Sequence, residues 1–408
     1  MRTAIIHYWL VSMRGGEKVL QALCELYPDA DIFTHVVIPD RIASSIREHR
    51  IHTSFIARLP RAGKWYKHYL PLMPMALEQL DLSDYDLVIS SESGPAKGAI
   101  AAPGATHVCY CHSPMRYIWN MYHAYRRSAG RGTKMLMPYL AHYLRNWDQI
   151  TAARVDSFAA NSYNVAARIQ RYYGRSATVI YPPVDVDRFI QVSRANLGDF
   201  FLMAGELVAY KRPDLAIDAF NRLGRKLVVI GGGEMLATLR RRARSNITFL
   251  GPQPSDVLAA HYSRCRALIF PGEEDFGIVP VEAMASGRPV VAFGRGGATE
   301  TVIHGRTGYL FKEQAVEALV DAIETIDRFD LDPTEIVAHA RTFGPDRFAR
   351  RMKCFVDDAV AASTIRRPQP TARTTPMPAP WTGRPLASGS TRSEREHPQA
   401  LSQEVTSA

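Results

Sequence analysis

Short, mostly apolar runs recur along this chain at residues 3–8, 87–90, 107–110, 157–160 and 178–181. They return at 200–204, 227–231, 247–250, 267–270, 290–292 and 308–311. Between them lie stretches of helical periodicity, among them 16–26, 164–171, 213–222 and 314–326. Strands buried on both faces and alternating with covering helices read this way, so the pattern predicts α/β architecture with parallel sheets. Length decides how many sheets to expect. A chain of 408 residues exceeds one ordinary core, and two doubly wound units side by side are the natural solution.

Pro182 and Pro183 stand between the two series and bar helix continuation. The expected organisation is a first domain over residues 1–182 and a second over 183–344. A final amphipathic helix follows over 345–362, with Phe348, Met352, Phe355 and Val356 on one stripe. From 363 to 408, Pro, Thr, Ser and Arg crowd out aliphatic residues, a composition that predicts disorder.

The 46% hydrophobic and 22% charged content is that of a soluble globular protein. Five scattered cysteines include Cys109 and Cys111 one residue apart, a spacing that signals neither a redox pair nor a zinc site. The apolar start is interrupted by His7 and has no small-residue cleavage site, so it reads as a strand rather than a signal peptide. No apolar run is long enough to span a bilayer. A cytoplasmic location is the expectation.

Net charge is +10 and unevenly placed. Residues 1–180 hold 21 Lys and Arg against 13 Asp and Glu, and no acidic residue lies between Ser93 and Trp147. Arg58, Arg61, Lys64 and Lys67 recur every third residue among Trp65, Tyr66 and Tyr69. A basic, aromatic-rich helix suits an anionic membrane surface, while a solvated charged face over core aromatics is the plain alternative. Nucleic acid would suit such a patch too, but no RNA- or DNA-binding motif accompanies it.

Chemistry concentrates after the run at 267–270. Glu274 and Glu282 lie eight positions apart across a loop that opens a helix near Val279. A strand, a loop and a helix N-terminus in that order offer free amides to phosphate oxygens. The two carboxylates are suited instead to hydroxyls, as on a nucleotide sugar. Lys211 also follows a strand and precedes a helix, at the sheet edge where ligands bind in open α/β folds. It reads as a phosphate contact or as a solvated lysine that the helix dipole disfavours. Gly15-Gly16 after the first strand permits close backbone approach, or simply forms a tight turn. His112 ends a strand and reads equally as a cleft residue or a structural one. The dinucleotide fingerprint is missing after both Tyr8 and Gly231, which argues against a dehydrogenase.

Taken together, these residues resemble the retaining glycosyltransferases of family 4, with the two-domain GT-B fold, over about residues 1–362. The resemblance rests on Glu274 and Glu282 followed by Gly287 and Pro289, and on Gly15-Gly16, His112-Ser113-Pro114, Asn161-Ser162, Pro182-Pro183 and Gly296-Gly297. Stretches 13–18, 109–117 and 208–212 are similar to the branch that adds mannose in O-antigen and exopolysaccharide assembly. The resemblance implies two Rossmann-like domains facing a cleft, with the last helix crossing back to the first.

It also implies roles. Glu282 would hold the ribose, and Glu274 the donor hexose. Amides of Phe276, Gly277, Ile278, Val279 and Gly16, with Gly15 beside them, would contact the diphosphate that Lys211 neutralises. His112 would touch the sugar. No metal and no cofactor are implied beyond a nucleotide-sugar donor, GDP-mannose being the first choice. The acceptor would be a polyprenyl-diphosphate-linked glycan at the inner face of the membrane. A soluble glucosyltransferase using a UDP- or ADP-sugar is the enzymatic alternative.

One departure matters. The family has Gly-Arg before the phosphate lysine, whereas this chain has Gly205-Glu206. Loss of a charged donor to a transition-state oxyanion costs ~3 kcal/mol, about a hundredfold in rate. Arg14, Arg116 or Arg212 would have to compensate; otherwise the chain is a catalytically silent paralogue that binds nucleotide sugar.

Overall fold

The computed structural model describes residues 1–366 except Asp330. The disorder expected of the tail therefore lies, from residue 367 on, outside the described residues. Within them are two wholly parallel sheets. The first comprises β1 (Thr3–His7), β2 (Asp31–Thr34), β3 (Ile51–Thr53), β4 (Leu87–Glu92), β5 (Thr106–Cys111), β6 (Ser157–Ala160) and β7 (Ala177–Val179), in the order β3-β2-β1-β4-β5-β6-β7. The second comprises β8 (Phe201–Ala204), β9 (Leu227–Ile230), β10 (Ile247–Gly251), β11 (Leu268–Phe270), β12 (Val290–Phe293) and β13 (Gly308–Phe311), in the order β10-β9-β8-β11-β12-β13. Residues 181–185 form neither helix nor strand and belong to neither sheet.

Alternation along the central strands explains why they are apolar throughout. In β1, Ile5 packs into the layer of Leu20, Leu23 and Ile89, while Ala4 and Ile6 pack on the opposite face with Phe33, Leu77 and Val88. In β8, Phe201 and Met203 meet Leu215, Phe220 and Ile323, whereas Leu202 and Ala204 meet Val281, Met284 and Ala340. Side chains two apart share a face, so a strand covered on both sides can spare no position for water.

Seven helices matter for the site: α1 (Gly15–Leu26), α2 (Tyr122–Ser128), α3 (Arg131–Thr151), α4 (Tyr163–Tyr173), α5 (Pro213–Leu223), α6 (Ile278–Ala285) and α7 (Pro345–Arg366). Local chemistry sets their ends. The Ser162 hydroxyl accepts from the Val165 amide at 3.1 Å and caps α4, and Pro213 opens α5 at a position with no amide to spare. Helix α7 runs four residues beyond its expected end. Its Phe348, Met352, Phe355 and Val356 pack with Ile5, Leu20 and Tyr110, so it crosses back onto the first sheet. Burying each such side chain stabilises the protein by roughly 1.5–3 kcal/mol, and truncating Phe348 to alanine would cost about 3–5 kcal/mol.

Two strands escape sequence reading. β2 begins on Asp31 and β3 has no buried residue, so neither forms a clean apolar run. The basic helix expected around residues 58–74 is also corrected. Arg61 adopts φ 52°, a four-residue helix spans Ala62–Trp65, and a 3-10 run containing Pro71 follows over Tyr66–Leu72. Tyr66 and Tyr69 lean on the core near Ile56 and Ala76, and Trp65 stays 40% exposed. The proline and the left-handed residue prevent one continuous helix from presenting all of these side chains on a single face.

Candidate active site

In the first sheet, β1 sits between β2 and β4; in the second, β8 sits between β9 and β11. Where strand order reverses, loops leaving the carboxyl ends diverge and open a crevice. Loops after β1, β4, β8 and β11 line one cavity of about 330 Å³. Tyr8, Gly15 and Gly16 come after β1, Ser93 after β4, Tyr210 after β8, and Glu274 to Ile278 after β11. His112, Ser113 and Arg116 follow β5, Asn161 follows β6 and Pro182 follows β7 along the first-sheet wall.

Two helix N-termini meet here. A Cβ on Gly15 would stand 2.9 Å from Ile278 Cδ1, so the start of α1 lies directly against the first side chain of α6. Gly277, at φ 88°, turns the chain through the left-handed region into α6. Ile278 and Val279 form the first turn of α6, where amides have no carbonyl one turn back.

Lys211 borders the cavity through its partner: its Nζ is 2.8 Å from Glu274 Oε1. Burial opposes the Lys211 charge, but attraction to Glu274, together with Tyr210 and Glu206, outweighs it, and the ammonium pKa is raised above its ordinary value. His112 is half-buried, with Nε2 2.9 Å from the Ser91 hydroxyl, itself 3.1 Å from His7 Nδ1. Burial pulls the His112 pKa down to about 4, so the ring is neutral at neutral pH. Its amide donates to the Glu92 carbonyl at 2.7 Å, which holds the backbone of β5 against β4 at the cavity wall.

Glu282 lies next door, in a cavity of about 380 Å³ that Lys18, Arg188 and Ser255 also line. Its Oε1 is 3.3 Å from Lys18 Nζ, and its Oε2 accepts from the Tyr262 hydroxyl at 3.1 Å. Of the residues expected from the sequence, Gly15, Gly16, His112, Glu274, Phe276, Gly277 and Ile278 therefore line one cavity, and Lys211 is bonded to it. Glu282 lines the adjoining one, and half-buried Val279 lines neither.

Glu206 points at Arg14, with Nη1 to Oε2 at 3.4 Å across the cleft. Arg116 lines the main cavity over the Tyr210 ring, whereas Arg212 is turned onto Asp214 and Gln314. Asp275 is clasped by the opposite wall. Its Oδ1 is 2.5 Å from Arg168 Nη2, its Oδ2 3.6 Å from Arg116 Nη1, and its carbonyl accepts from the Ser162 hydroxyl at 2.6 Å.

Residues 13–188 match the family described as Glycosyltransferase Family 4, and residues 186–329 match Glycosyl transferases group 1. The chain belongs to the family 4 glycosyltransferases. A GDP-mannose-dependent alpha-(1-6)-phosphatidylinositol monomannoside mannosyltransferase of Mycobacterium tuberculosis is 32% identical over 187 residues, 38% of this chain and 49% of the relative. A D-inositol 3-phosphate glycosyltransferase of Corynebacterium glutamicum is 28% identical over 256 residues, 53% of this chain and 61% of the relative. The chain spans about half the length of the curated relatives it matches. Among solved structures, Anabaena Alr3699/HepE in complex with UDP superposes with TM-score 0.64 at 17% identity, covering 88% of this chain and 100% of that one. The lipopolysaccharide outer core galactosyltransferase WaaB gives TM-score 0.63 at 16% identity, covering 88% and 99%. The fold of this family 4 member is thus GT-B, as its two facing sheets require.

Several cavity residues gave little signal in the sequence. Tyr8 and Ser93 look like ordinary strand-end residues until the parallel pairing of β1 and β4 brings them together. Asp275 sits inside the glutamate motif and Tyr210 beside Lys211, so adjacency was the available clue for both. Lys18 lies one turn into α1, where only the meeting of the two domains reveals Glu282 as its partner.

Proposed function

We propose that this chain is a retaining hexosyltransferase that moves a sugar, α-mannose from GDP-mannose as first choice, onto a polyprenyl-diphosphate-linked glycan. The observation that carries the reading is the convergence of the Lys211–Glu274 pair, neutral His112 and the N-termini of α1 and α6 on one interdomain cavity. The named mannosyltransferase relatives support the choice of sugar. Work at the inner face of a membrane follows from the acceptor; among the described residues, no helix is long and apolar enough to cross one.

In this reading the bond between the sugar's anomeric carbon and the diphosphate oxygen breaks. An acceptor hydroxyl oxygen bonds to that carbon from the same face, and its proton passes to the departing phosphate oxygen. Lys211 and the helix-end amides stabilise the growing negative charge, the largest single contribution such sites make. Glu274 grips donor hydroxyls, Glu282 the ribose, and the His112 backbone lies on the face away from the leaving group. Closure of the cleft aligns donor and acceptor.

Purified protein incubated with bacterial membranes and labelled GDP-mannose or UDP-glucose tests this. Labelled lipid from GDP-mannose is the expected result. Label in a soluble glycan from UDP-glucose would replace the reading with a glucosyltransferase, and nucleotide-sugar binding without transfer would leave a silent paralogue.

A further inference from the structure

Helices α2 and α3 form a hairpin beside the cleft, and between them lies a cavity of about 250 Å³ lined by His123, Arg126, Arg127 and Lys134. All four side chains are exposed, and among the described residues Arg126, Arg127 and Lys134 take part in no ion pair. Neither helix carries a carboxylate able to answer them. No acidic residue occurs between Ser93 and Trp147, and Asp148, near the end of α3, is buried against Lys97. Three permanent cations converging on a concave site without a counterion call for a compact polyanion, and guanidinium groups match phosphate oxygens in fork geometry.

Two neighbours narrow the choice. On α3, Met135 is 78% and Tyr139 75% exposed, one helical turn apart beside Lys134, and Leu136 and Tyr143 extend the ridge. An apolar ridge flanking a basic hollow fits a phosphorylated head whose tail is lipid. On α2, Tyr125 lines the main cavity while its neighbours Arg126 and Arg127 line the basic one. The two sites are thus separated by about one helix diameter, roughly 10–12 Å, a span that a diphosphate-linked sugar can bridge.

We propose that the α2–α3 cavity binds the diphosphate of a polyprenyl-linked acceptor and so presents its glycan to the donor cleft. The inference rests on the lipid-linked acceptor reading above. The full chain is titrated with phosphatidylcholine vesicles that are plain, doped with undecaprenyl diphosphate, or doped to equal charge with phosphatidylglycerol. Wild-type protein should bind the diphosphate vesicles at least tenfold more tightly than the charge-matched ones. The triple variant R126Q/R127Q/K134Q should lose that preference while melting at the wild-type temperature, because the three side chains are exposed. A triple variant that keeps the preference overturns the proposal, as does wild-type protein that binds both charged vesicles equally. Wild-type protein that ignores the diphosphate lipid but glycosylates a soluble acceptor would defeat the lipid-linked reading itself.

Discussion

Lys211 Nζ and Glu274 Oε1 stand 2.8 Å apart at the edge of the cleft, so the cation suited to a diphosphate and the anion suited to sugar hydroxyls neutralise each other. In the proposed reading, a nucleotide sugar entering here would give each a partner of its own, and the pair would then straddle the bond to be broken. Glu274→Ala should lower transfer by about 10²–10³-fold, the scale of a lost transition-state contact. Affinity for free nucleotide diphosphate, measured by calorimetry, should hold or rise as Lys211 is released. Near-wild-type turnover in this variant would remove Glu274 from the site.

Arg14 and Glu206 form an exposed pair, worth about 0–1 kcal/mol to stability. Its functional weight is larger, because Arg14 precedes the glycines of α1 and is engaged by a carboxylate where the family has a second cation. Glu206→Gln should leave the melting temperature nearly unchanged and raise donor affinity severalfold. The gain should shrink in high salt, which screens exposed charges. Unchanged donor affinity at low salt would mean that Glu206 does not oppose the diphosphate.

Much of this architecture is legible in the sequence because most strands are short apolar runs set between helical stretches: 157–160 and 308–311 are found to the residue, although the latter lies at its sheet's edge. The edge strand β3 and its neighbour β2 hide because they are short and carry Asp31 and His52 within them. Site residues show the same division. Glu274, Glu282 and the glycines are legible through local spacing. The Ser91–His112 bond, the Asp275 clasp and the Arg14–Glu206 pair join residues 21 to 192 positions apart, and no local pattern encodes them. The stretch at 58–74 misleads for a related reason: its periodicity is helical, but a left-handed residue and a proline override it.

Lys97 is fully buried between Glu92 at the end of β4 and Asp148 on α3. Asp148 also accepts from Trp119 Nε1 at 2.7 Å and the Tyr173 hydroxyl at 2.9 Å. This cluster ties the long helix to the carboxyl edge of the first sheet. Lys97→Met would leave two buried carboxylates without their cation, at a cost of about 3–5 kcal/mol. Urea denaturation should show a correspondingly lower midpoint; a loss below about 1 kcal/mol would mean that water or relaxation reaches the cluster.

Asp275 is held by Arg168 and Arg116 from the opposite wall, and its neighbours in the chain are Glu274 and Phe276 of the cavity. In the proposed reading, the clasp would couple closure of the cleft to the placement of Glu274. Asp275→Asn should reduce kcat about tenfold or more while changing donor KM little, because it alters alignment rather than ground-state grip. A variant with raised KM and intact kcat would instead make Asp275 a plain donor contact.

In the first domain His7, His35 and His107 are buried and His112 is half-buried, each bonded to a serine hydroxyl rather than a carboxylate. Burial lowers His35, His107 and His112 to about 4, and His7 well below its usual value. Above the unfolded pKa of roughly 6.5 both states are neutral and nothing is lost. As pH falls below it, the unfolded chain takes up protons that the folded chain refuses, so stability drops progressively toward pH 4. Each histidine shifted to about 4 represents on the order of 3 kcal/mol at full expression. Urea midpoints should therefore decline from pH 7 to pH 5, before most carboxylates titrate. His107→Gln, which lies away from the cleft, should flatten part of that slope; an unchanged midpoint across the interval in wild-type protein would show that these rings are hydrated enough to charge in place.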